Sequence, residues 1–210
     1  FRFNWQKAFV ATLGYSRATF VKFYDHERSD AWIDGLESAF QFFGGVPKDV
    51  LFDNAKAIII ERDAYQDGQH RWNAKLLDCA KKYNFRPRVC KPYRAQTKGK
   101  VERFNSYLKS SFIVPLKASL KVVDLSLDVD MANAYIGRWL SETANQRIHA
   151  TTKEKPSTRL LEEQQYFSSL PLFNDGSKKS VIDDVSPSSL IPHESVQHPL
   201  SIYDELLEVS

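Results

Sequence analysis

The sequence has 210 residues, of which 42% are hydrophobic and 13% aromatic, enough for the core of one domain with appendages. Its two cysteines, Cys79 and Cys90, exclude a disulfide-rich scaffold, have no zinc-site spacing with His70 and are predicted to be buried thiols. We expect a cytoplasmic globular protein, because no apolar run approaches the roughly 20 residues of a membrane span and the first residues lack a signal-peptide core.

The first predicted elements form a β-hairpin. Residues 8–13 and 18–24 are rich in β-branched and aromatic residues. The residues between them include Gly14 and suit a turn. We therefore expect two antiparallel strands at the start of the chain.

An amphipathic helix is predicted after the hairpin, with Ser29 or Asp30 as its N-cap. The run Gly-Gly-Val-Pro at 44–47 is expected to end it. Its apolar positions repeat every three to four residues and are Trp32, Leu36, Phe40 and Phe43. This pattern predicts one buried aromatic face.

A short apolar run at residues 49–53 comes next and is bounded by Pro47 and Asn54. We predict an interior strand with Asp53 at its carboxyl end. Sites in α/β folds commonly lie at the carboxyl ends of strands. An Asp before Asn is also a common turn former, so Asp53 alone does not establish a site.

A second amphipathic pattern predicts a helix over residues 70–83, with an apolar side that comprises Trp72, Leu76, Cys79 or Ala80, and Tyr83. Residues 85–90 follow this helix. Pro87 lies within them and indicates an edge strand or an irregular one, because proline lacks the N–H that an inner strand donates.

The most basic stretch runs from residue 81 to residue 109, and we call it the basic segment. It contains ten Lys or Arg residues and one acid, Glu102, so its net charge is +9. The whole chain carries +3, which leaves −6 for the remaining residues. Such asymmetry indicates a polyanionic partner.

Glu102 is predicted to lie on a helix whose apolar stripe is formed by Val101, Phe104, Leu108 and Phe112. It lies off this stripe, on a face with Lys98 and Lys109. A carboxylate within a phosphate-binding surface suggests a bridging cation, and Mg²⁺ or Mn²⁺ suits oxygen ligands. The alternative is that Glu102 pairs with Lys98 and Arg103 on a solvated helix.

Further helices are predicted in the second half of the chain. Asp128 is expected to cap a helix. The side chains of this helix that are predicted to face a core are Ala132, Tyr135, Ile136, Trp139 and Thr143. A polar connector at residues 145–156 leads to a short helix at 157–166, where Pro156 suits the first turn. Residues 171–200 carry many Ser and Pro without periodicity and predict a poorly ordered tail.

The order of these elements predicts an α/β fold with a mixed sheet flanked by helices. We divide the chain into a core at residues 1–115, a helical appendage and connector at 116–170, and a tail with a short terminal helix at 171–210. Asp53 and Glu102 are predicted to converge in one basic cleft. Two carboxylates so placed suit two-metal phosphodiester chemistry, with ions roughly 3.5–4 Å apart.

Three stretches carry a resemblance to a known family: FGGVP at 43–47, VLFDN at 50–54 and YRAQTKGKVER at 93–103. They resemble the IstA-type transposases of bacterial insertion sequences, which belong to the ribonuclease H-like polynucleotidyl transferases. Enzymes of this superfamily share an Asp-Asp-Glu triad, the DDE motif, with retroviral integrases. The similarity extends over roughly residues 8–170 and implies a ribonuclease H-like fold.

The resemblance implies that Asp53 is the second acid of the triad, that Glu102 is the third, and that together they bind two Mg²⁺ or Mn²⁺ ions. The family's first Asp precedes the hairpin in an Asp-Trp pair. Asn4 and Trp5 are its nearest counterpart here, and we expect the first Asp to lie outside the printed residues. The family's connector is matched by Asn145, Arg147, His149, Thr152 and Pro156.

The function that the resemblance implies is that of a DNA transposase catalytic domain, which cuts transposon ends and joins them to target DNA. Residues expected to contact DNA phosphates are Arg94, Lys98, Lys100, Arg103 and Lys109. Implied partners are transposon-end DNA, target DNA, further copies of the chain in a dimer or tetramer, and a helper AAA+ ATPase of the IstB type. The implied location is the bacterial cytoplasm, in association with the nucleoid.

Two other functions fit the residues. A nuclease of the same fold would use both acids without retaining DNA ends. A DNA-binding module without catalysis would use the basic segment to hold phosphates, and its acids would be incidental.

Overall fold

A computed structural model of the protein describes residues 7–53, 57–61, 70–90 and 103–171. All of them belong to one compact unit, Phe1–Leu172, and the second unit, Phe173–Ser210, lies outside the described residues. The helices of the described part are too short or too polar to cross a membrane. The predicted domain boundaries and the predicted tail stay predictions.

The predicted hairpin is confirmed. Strand β1 (Ala8–Thr12) pairs antiparallel with β2 (Thr19–Phe23), and Val10 lies opposite Val21. Because side chains alternate along a strand, Phe9 enters one hydrophobic cluster, whereas Val21 enters another. The hairpin therefore has a packed layer on each of its faces.

Helix α1 (Ser29–Phe43) forms one of these layers. Leu36 and Phe40 are buried as predicted, and the helix ends at Gly44, whose φ of 76° is left-handed. The predicted N-cap was wrong, because Ser29 and Asp30 already lie inside the helix and Arg28 occupies the cap position. Asp30 instead lies in the first turn, where its negative charge interacts favourably with the helix dipole.

Strand β3 (Asp49–Phe52) pairs in parallel with β6 (Arg86–Val89). The strand was predicted to be interior, but within the described residues it pairs with β6 alone. Its Phe52 is buried, whereas Leu51 on the opposite face is 58% exposed. Within the described part of the chain, β6 pairs with β3 alone, which agrees with the edge position that Pro87 predicted.

Between β3 and β6 lie two short strands, β4 (Ile59–Glu61) and β5 (Arg71–Trp72), and helix α2 (Ala74–Tyr83). The predicted start of this helix at residue 70 was wrong, because Trp72 pairs with Ile59 in an antiparallel ladder. Asn73 then caps the helix by accepting a hydrogen bond from the Lys75 N–H at 2.9 Å. The apolar face of α2 packs against α1.

The second layer is formed by two helices that each contain a π-helical turn. In α3, residues 103–108 are α-helical, followed by the π-helical turn Lys109–Ile113 and the α-helical stretch Val114–Val122. Helix α4 is Val129–Trp139, continued by the π-helical turn Leu140–Ala144. Both pack against β2 through a cluster that includes Leu108, Phe112, Ile136 and Trp139.

Asp128 caps α4 as predicted, since its Oδ1 accepts from the Met131 N–H at 2.8 Å. Ala132, Ile136 and Trp139 are buried, but Tyr135 and Thr143 were wrongly predicted to face the core. Tyr135 lies one position before the buried stripe and is 46% exposed. Thr143 lies in the π-helical turn, where the regular helical period no longer applies.

Two asparagine side chains close the edge of β2 that faces away from β1. Asn145 accepts from the Thr19 N–H at 2.9 Å and donates to the Thr19 carbonyl at 3.0 Å. Asn133 does the same for Phe23, at 2.8 and 3.0 Å. Each amide thus replaces the N–H and C=O of a neighbouring strand, and the edge is protected from further pairing.

Replacing Asn145 with Ala is expected to lower the free energy of unfolding by about 1–3 kcal/mol, because it leaves the buried N–H and C=O of Thr19 without their partner. Urea denaturation measures the change. The control is Gln146→Ala at the exposed neighbouring position, which should stay within about 0.5 kcal/mol of the parent. Equal midpoints for both variants would contradict the role of the Asn145 amide.

Helix α5 (Pro156–Glu163) lies near the end of the described residues and contacts the turn between β1 and β2. Its first residue is Pro156, as predicted for a helix start, and this proline is buried. Glu163 accepts hydrogen bonds from the N–H groups of Tyr15 and Ser16, at 3.2 and 2.8 Å. Arg159 stacks its guanidinium 3.9 Å from the centre of the Tyr15 ring. These contacts fix α5 against the turn between β1 and β2.

Candidate active site

Asp53 lies immediately after β3, and its side chain is exposed. The ladder between β3 and β6 continues to this level, because the Cys90 N–H donates to the Phe52 carbonyl at 3.0 Å. Asp53 and Cys90 therefore stand side by side at the carboxyl edge of two parallel strands. Such an edge is where the predicted site was expected.

The second half of the basic segment begins in the sequence where β6 ends, at the same edge. Since β3 and β6 are parallel, the chain leaves β6 where Asp53 follows β3. The next described residue is Arg103, which is helical and follows Glu102 directly in the sequence. Glu102 itself lies outside the described residues, as do three of the predicted DNA contacts, Arg94, Lys98 and Lys100.

The two predicted DNA contacts that the structure describes, Arg103 and Lys109, lie on α3 and are exposed. The opposite side of the helix carries the predicted apolar stripe, with Leu108 fully buried and Phe112 nearly so. The stripe orients α3, because burial of Leu108 holds one side against the core. Arg103 and Lys109 thus belong to the solvent side of the helix.

Three charged residues on the strand pair that leads to Asp53 were not predicted as site residues. Asp49 on β3 bonds to two arginines of β6: its Oδ1 accepts from Arg88 Nε at 2.7 Å, and its Oδ2 accepts from Arg86 at 3.0 Å. Hydrogen bonds from Arg88 and Arg86 lower the pKa of the Asp49 carboxyl group. The sequence feature that could have identified the two arginines is their alternation around Pro87. Their pairing with Asp49 could not be predicted, because it depends on strand register.

The residues around Asp53 fit a divalent cation only in part. Asp53 offers an exposed carboxylate, the ligand type that Mg²⁺ and Mn²⁺ prefer. Within residues 7–53, 57–61, 70–90 and 103–171, no group of three His, Cys, Asp or Glu side chains could hold a metal ion. The second predicted ligand, Glu102, is outside these ranges, so the described residues supply one ligand of the predicted pair.

A groove between α1 and α2 has a volume of about 480 Å³. Its charged lining is mainly acidic and comprises Asp30, Asp34, Glu37, Asp78, Lys75 and Lys82. This lining does not suit a polyanionic ligand, and the groove is built from elements other than those that carry Asp53. We therefore place the candidate site at the edge of β3 and β6.

The connector residues that carry the family resemblance have structural contacts. Arg147 stacks its guanidinium 3.9 Å from the centre of the Tyr107 ring, which ties the connector to α3. His149 is half-buried, and burial, followed by the charges of Arg147 and Arg17, lowers its pKa. His149 is therefore mainly neutral at pH 7.

The two cysteines differ in exposure. Cys79 is 4% exposed, as predicted, and burial raises the pKa of its thiol to about 11. Cys90 was also predicted to be buried, but it is partly exposed, because it follows β6 at the open sheet edge.

At pH 8 an alkylating reagent such as iodoacetamide is expected to modify Cys90 well before Cys79 in the folded protein. With a pKa of about 11, roughly one Cys79 thiol in a thousand is ionised at this pH, and only the thiolate reacts. Mass spectrometry of peptides after timed reactions measures both rates. The Cys90→Ser variant is the control and should remain almost unmodified until urea unfolds it. Equal rates at both cysteines would contradict the burial of Cys79.

Comparisons with known proteins agree with this geometry. Residues 1–95 match the integrase core domain family. The chain is 40% identical over 155 residues to a putative transposase for insertion sequence element IS5376 from Geobacillus stearothermophilus, covering 74% of this chain and 36% of that protein. It is 35% identical over 162 residues to a transposase for insertion sequence element IS21 from Pseudomonas aeruginosa, covering 77% and 39%. The chain thus spans less than half the length of these relatives.

The fold is similar to that of the catalytic core domain of BIV integrase, with a TM-score of 0.50 at 15% identity. The match covers 75% of this chain and 87% of that one. The predicted ribonuclease H-like α/β fold is confirmed. By sequence the chain is thus similar to transposases of insertion sequences, and its fold is that of an integrase core.

Proposed function

We propose that this chain is the catalytic core of a DNA transposase that cuts DNA at the ends of an insertion sequence and joins those ends to target DNA. The observation that carries the proposal is the exposed Asp53 carboxylate at the carboxyl edge of β3 and β6. In the sequence, the part of the basic segment that contains Glu102 follows Cys90, the last described residue at this edge. The similarity to transposases for IS5376 and IS21 supports the same activity.

Asp53 and Glu102 would hold divalent cations, on which integrase-core enzymes depend. Two Mg²⁺ or Mn²⁺ ions would activate the attacking oxygen and stabilise negative charge at the reacting phosphate. The chain's own contribution would be to supply these two carboxylates and to orient the DNA strand with the basic residues.

Two reactions of the same kind follow. In the first, a water oxygen attacks the phosphorus at the transposon end and the bond from phosphorus to the 3′-oxygen breaks, which leaves a 3′-hydroxyl. In the second, this hydroxyl oxygen attacks a target phosphodiester and the target's own 3′-oxygen leaves. Each reaction exchanges one phosphorus–oxygen bond for another.

DNA contacts are assigned in this proposal to Arg94, Lys98, Lys100, Arg103 and Lys109. The exposure of Arg103 and Lys109 on the solvent side of α3 supports the last two. Partners included in the proposal are transposon-end DNA, target DNA, further copies of the chain in a dimer or tetramer, and an ATPase of the IstB type. We also propose a cytoplasmic location with nucleoid association.

Replacing Lys109 with Ala is expected to lower the magnitude of the slope of log K against log salt by about 0.9, because one phosphate contact is lost. Affinity should fall to a similar extent for different DNA sequences. Fluorescence anisotropy with labelled duplexes at several salt concentrations gives the slope. Lys121→Ala, also exposed on α3 but beyond the π-helical turn, is the matched control. If Lys109→Ala leaves both slope and strand transfer unchanged, Lys109 is a surface residue only.

The proposed function is tested with the full-length transposase and labelled transposon-end DNA, with and without Mg²⁺. We expect Mg²⁺-dependent cuts at the end and products in which the end is joined to a target plasmid. Cuts without joined products would identify a nuclease. DNA binding without cuts in Mg²⁺ or Mn²⁺ would identify a binding module and overturn the proposal.

A further inference from the structure

The face of β3 and β6 that carries Asp53 also carries an ordered pair of arginines. Side chains alternate along a strand, so Asp49, Leu51 and Asp53 lie on one face of β3. The register places Arg86 opposite Asp49 and Arg88 opposite Leu51, on the same face. With a rise of about 3.3 Å per residue, Arg88 and Arg86 lie about 7 and 13 Å from the level of Asp53 along the strands.

Asp49 fixes the direction of both guanidinium groups. Each of its carboxylate oxygens accepts from one arginine, at 2.7 Å from Arg88 and 3.0 Å from Arg86. A guanidinium has five N–H donors, and the bond to Asp49 uses one donor of each. The two side chains remain 57% and 58% exposed, so the other donors are available to a ligand. The three groups together carry a charge of +1.

We propose that Arg86 and Arg88 bind backbone phosphates of the DNA strand that passes Asp53, with Asp49 as the residue that positions them. This inference rests on the proposed function. One arginine would be enough to neutralise the Asp49 carboxylate. Here the carboxylate instead holds two arginines in fixed directions, which leaves a net positive charge on an exposed surface. Guanidinium groups with free, oriented donors are well suited to phosphate oxygens.

A nucleic acid fits this surface better than a protein partner does. Among the described residues of β3 and β6, Leu51 is the exposed large hydrophobic side chain on this face, and its neighbours are charged. A stable protein interface has an apolar core, which one leucine does not supply. Arg86 and Arg88 are instead arranged along the strands towards Asp53. A DNA strand that reaches Asp53 along this face would pass both of them.

The test measures DNA binding by the full-length transposase with Arg86→Gln, Arg88→Gln and the double variant. We expect each single change to lower the magnitude of the log–log salt slope by about 0.9, and the double change by about twice as much. The loss should be equal for transposon-end DNA and for a duplex of unrelated sequence, because phosphate contacts carry no sequence information. Arg88→Lys keeps the charge and should retain the slope of the parent.

The matched control is Arg138→Gln, since Arg138 on α4 is also exposed and bonds to a carboxylate, Glu142, at 2.9 Å. It should leave the slope unchanged. A double variant with the slope of the parent would overturn the assignment, even if the parent cuts and joins DNA. A parent that binds DNA without cutting it would overturn the proposed function, and the slopes would still decide whether these arginines contact phosphates.

Discussion

The Asp53→Asn variant of the full-length protein is expected to lose DNA cutting and joining by about 100- to 1,000-fold or more, while end DNA binds at least as tightly as to the parent. The amide keeps the shape of the side chain but loses the charge that attracts a divalent cation. Binding should not weaken, because a negative charge is removed from beside the DNA phosphates. Gel assays of cut and joined products, together with anisotropy, measure the two properties separately. Glu102→Gln is expected to behave in the same way.

Asp124→Asn is the matched control for this experiment. Asp124 is exposed after α3 and has a φ of 55°, a conformation that asparagine also adopts readily. Its replacement should leave both binding and cutting unchanged. Full cutting by Asp53→Asn would remove Asp53 from the catalytic site. Loss of binding together with cutting, in a variant with the melting temperature of the parent, would show that Asp53 has a structural role instead.

The Phe40→Ala variant is expected to lower the free energy of unfolding by about 3–5 kcal/mol, the largest stability effect that we predict. Phe40 is buried in α1, and its ring centre lies 5.3 Å from that of Tyr83 and 5.5 Å from that of Phe85. These contacts join α1 to the end of α2 and the start of β6. The truncation therefore opens a cavity where three elements meet.

Urea denaturation of the full chain, followed by circular dichroism, measures this loss. Phe40→Leu fills more of the cavity and should lose less than Phe40→Ala. Tyr166→Ala removes an aromatic ring that is exposed to solvent and should change the free energy by less than about 0.5 kcal/mol. A loss below about 1 kcal/mol for Phe40→Ala would show that the three elements are joined by other contacts.

Local signals predicted much of the fold. The hairpin, α1 and α4 depend on patterns within about 15 residues: alternating strand residues, apolar positions at helical spacing, and end residues such as Gly44 and Asp128. The strand before Asp53 was also predictable, since Pro47 and Asn54 bound a short apolar run. Each of these features is encoded by neighbouring residues.

Features that depend on distant residues were missed. Trp72 fits the helical pattern of residues 70–83, but its pairing with Ile59 draws it into a strand. The π-helical turn after Trp139 changes the direction of Thr143. At the candidate site, Asp53 was predictable from its strand, whereas the contact of Asp49 with Arg86 and Arg88 depends on the register between β3 and β6. No local pattern determines that register.

The closure of β2 by two asparagines also has a consequence for synthesis on the ribosome. Asn133 and Asn145 follow their strand partners, Phe23 and Thr19, by 110 and 126 residues. At about 5–20 residues per second, roughly 6–25 s pass between the synthesis of β2 and the synthesis of these side chains. During that interval the outer edge of β2 lacks both amides and can pair with another nascent chain. We expect misassembly of this protein to begin at that strand, in chains that have not yet extended beyond α4.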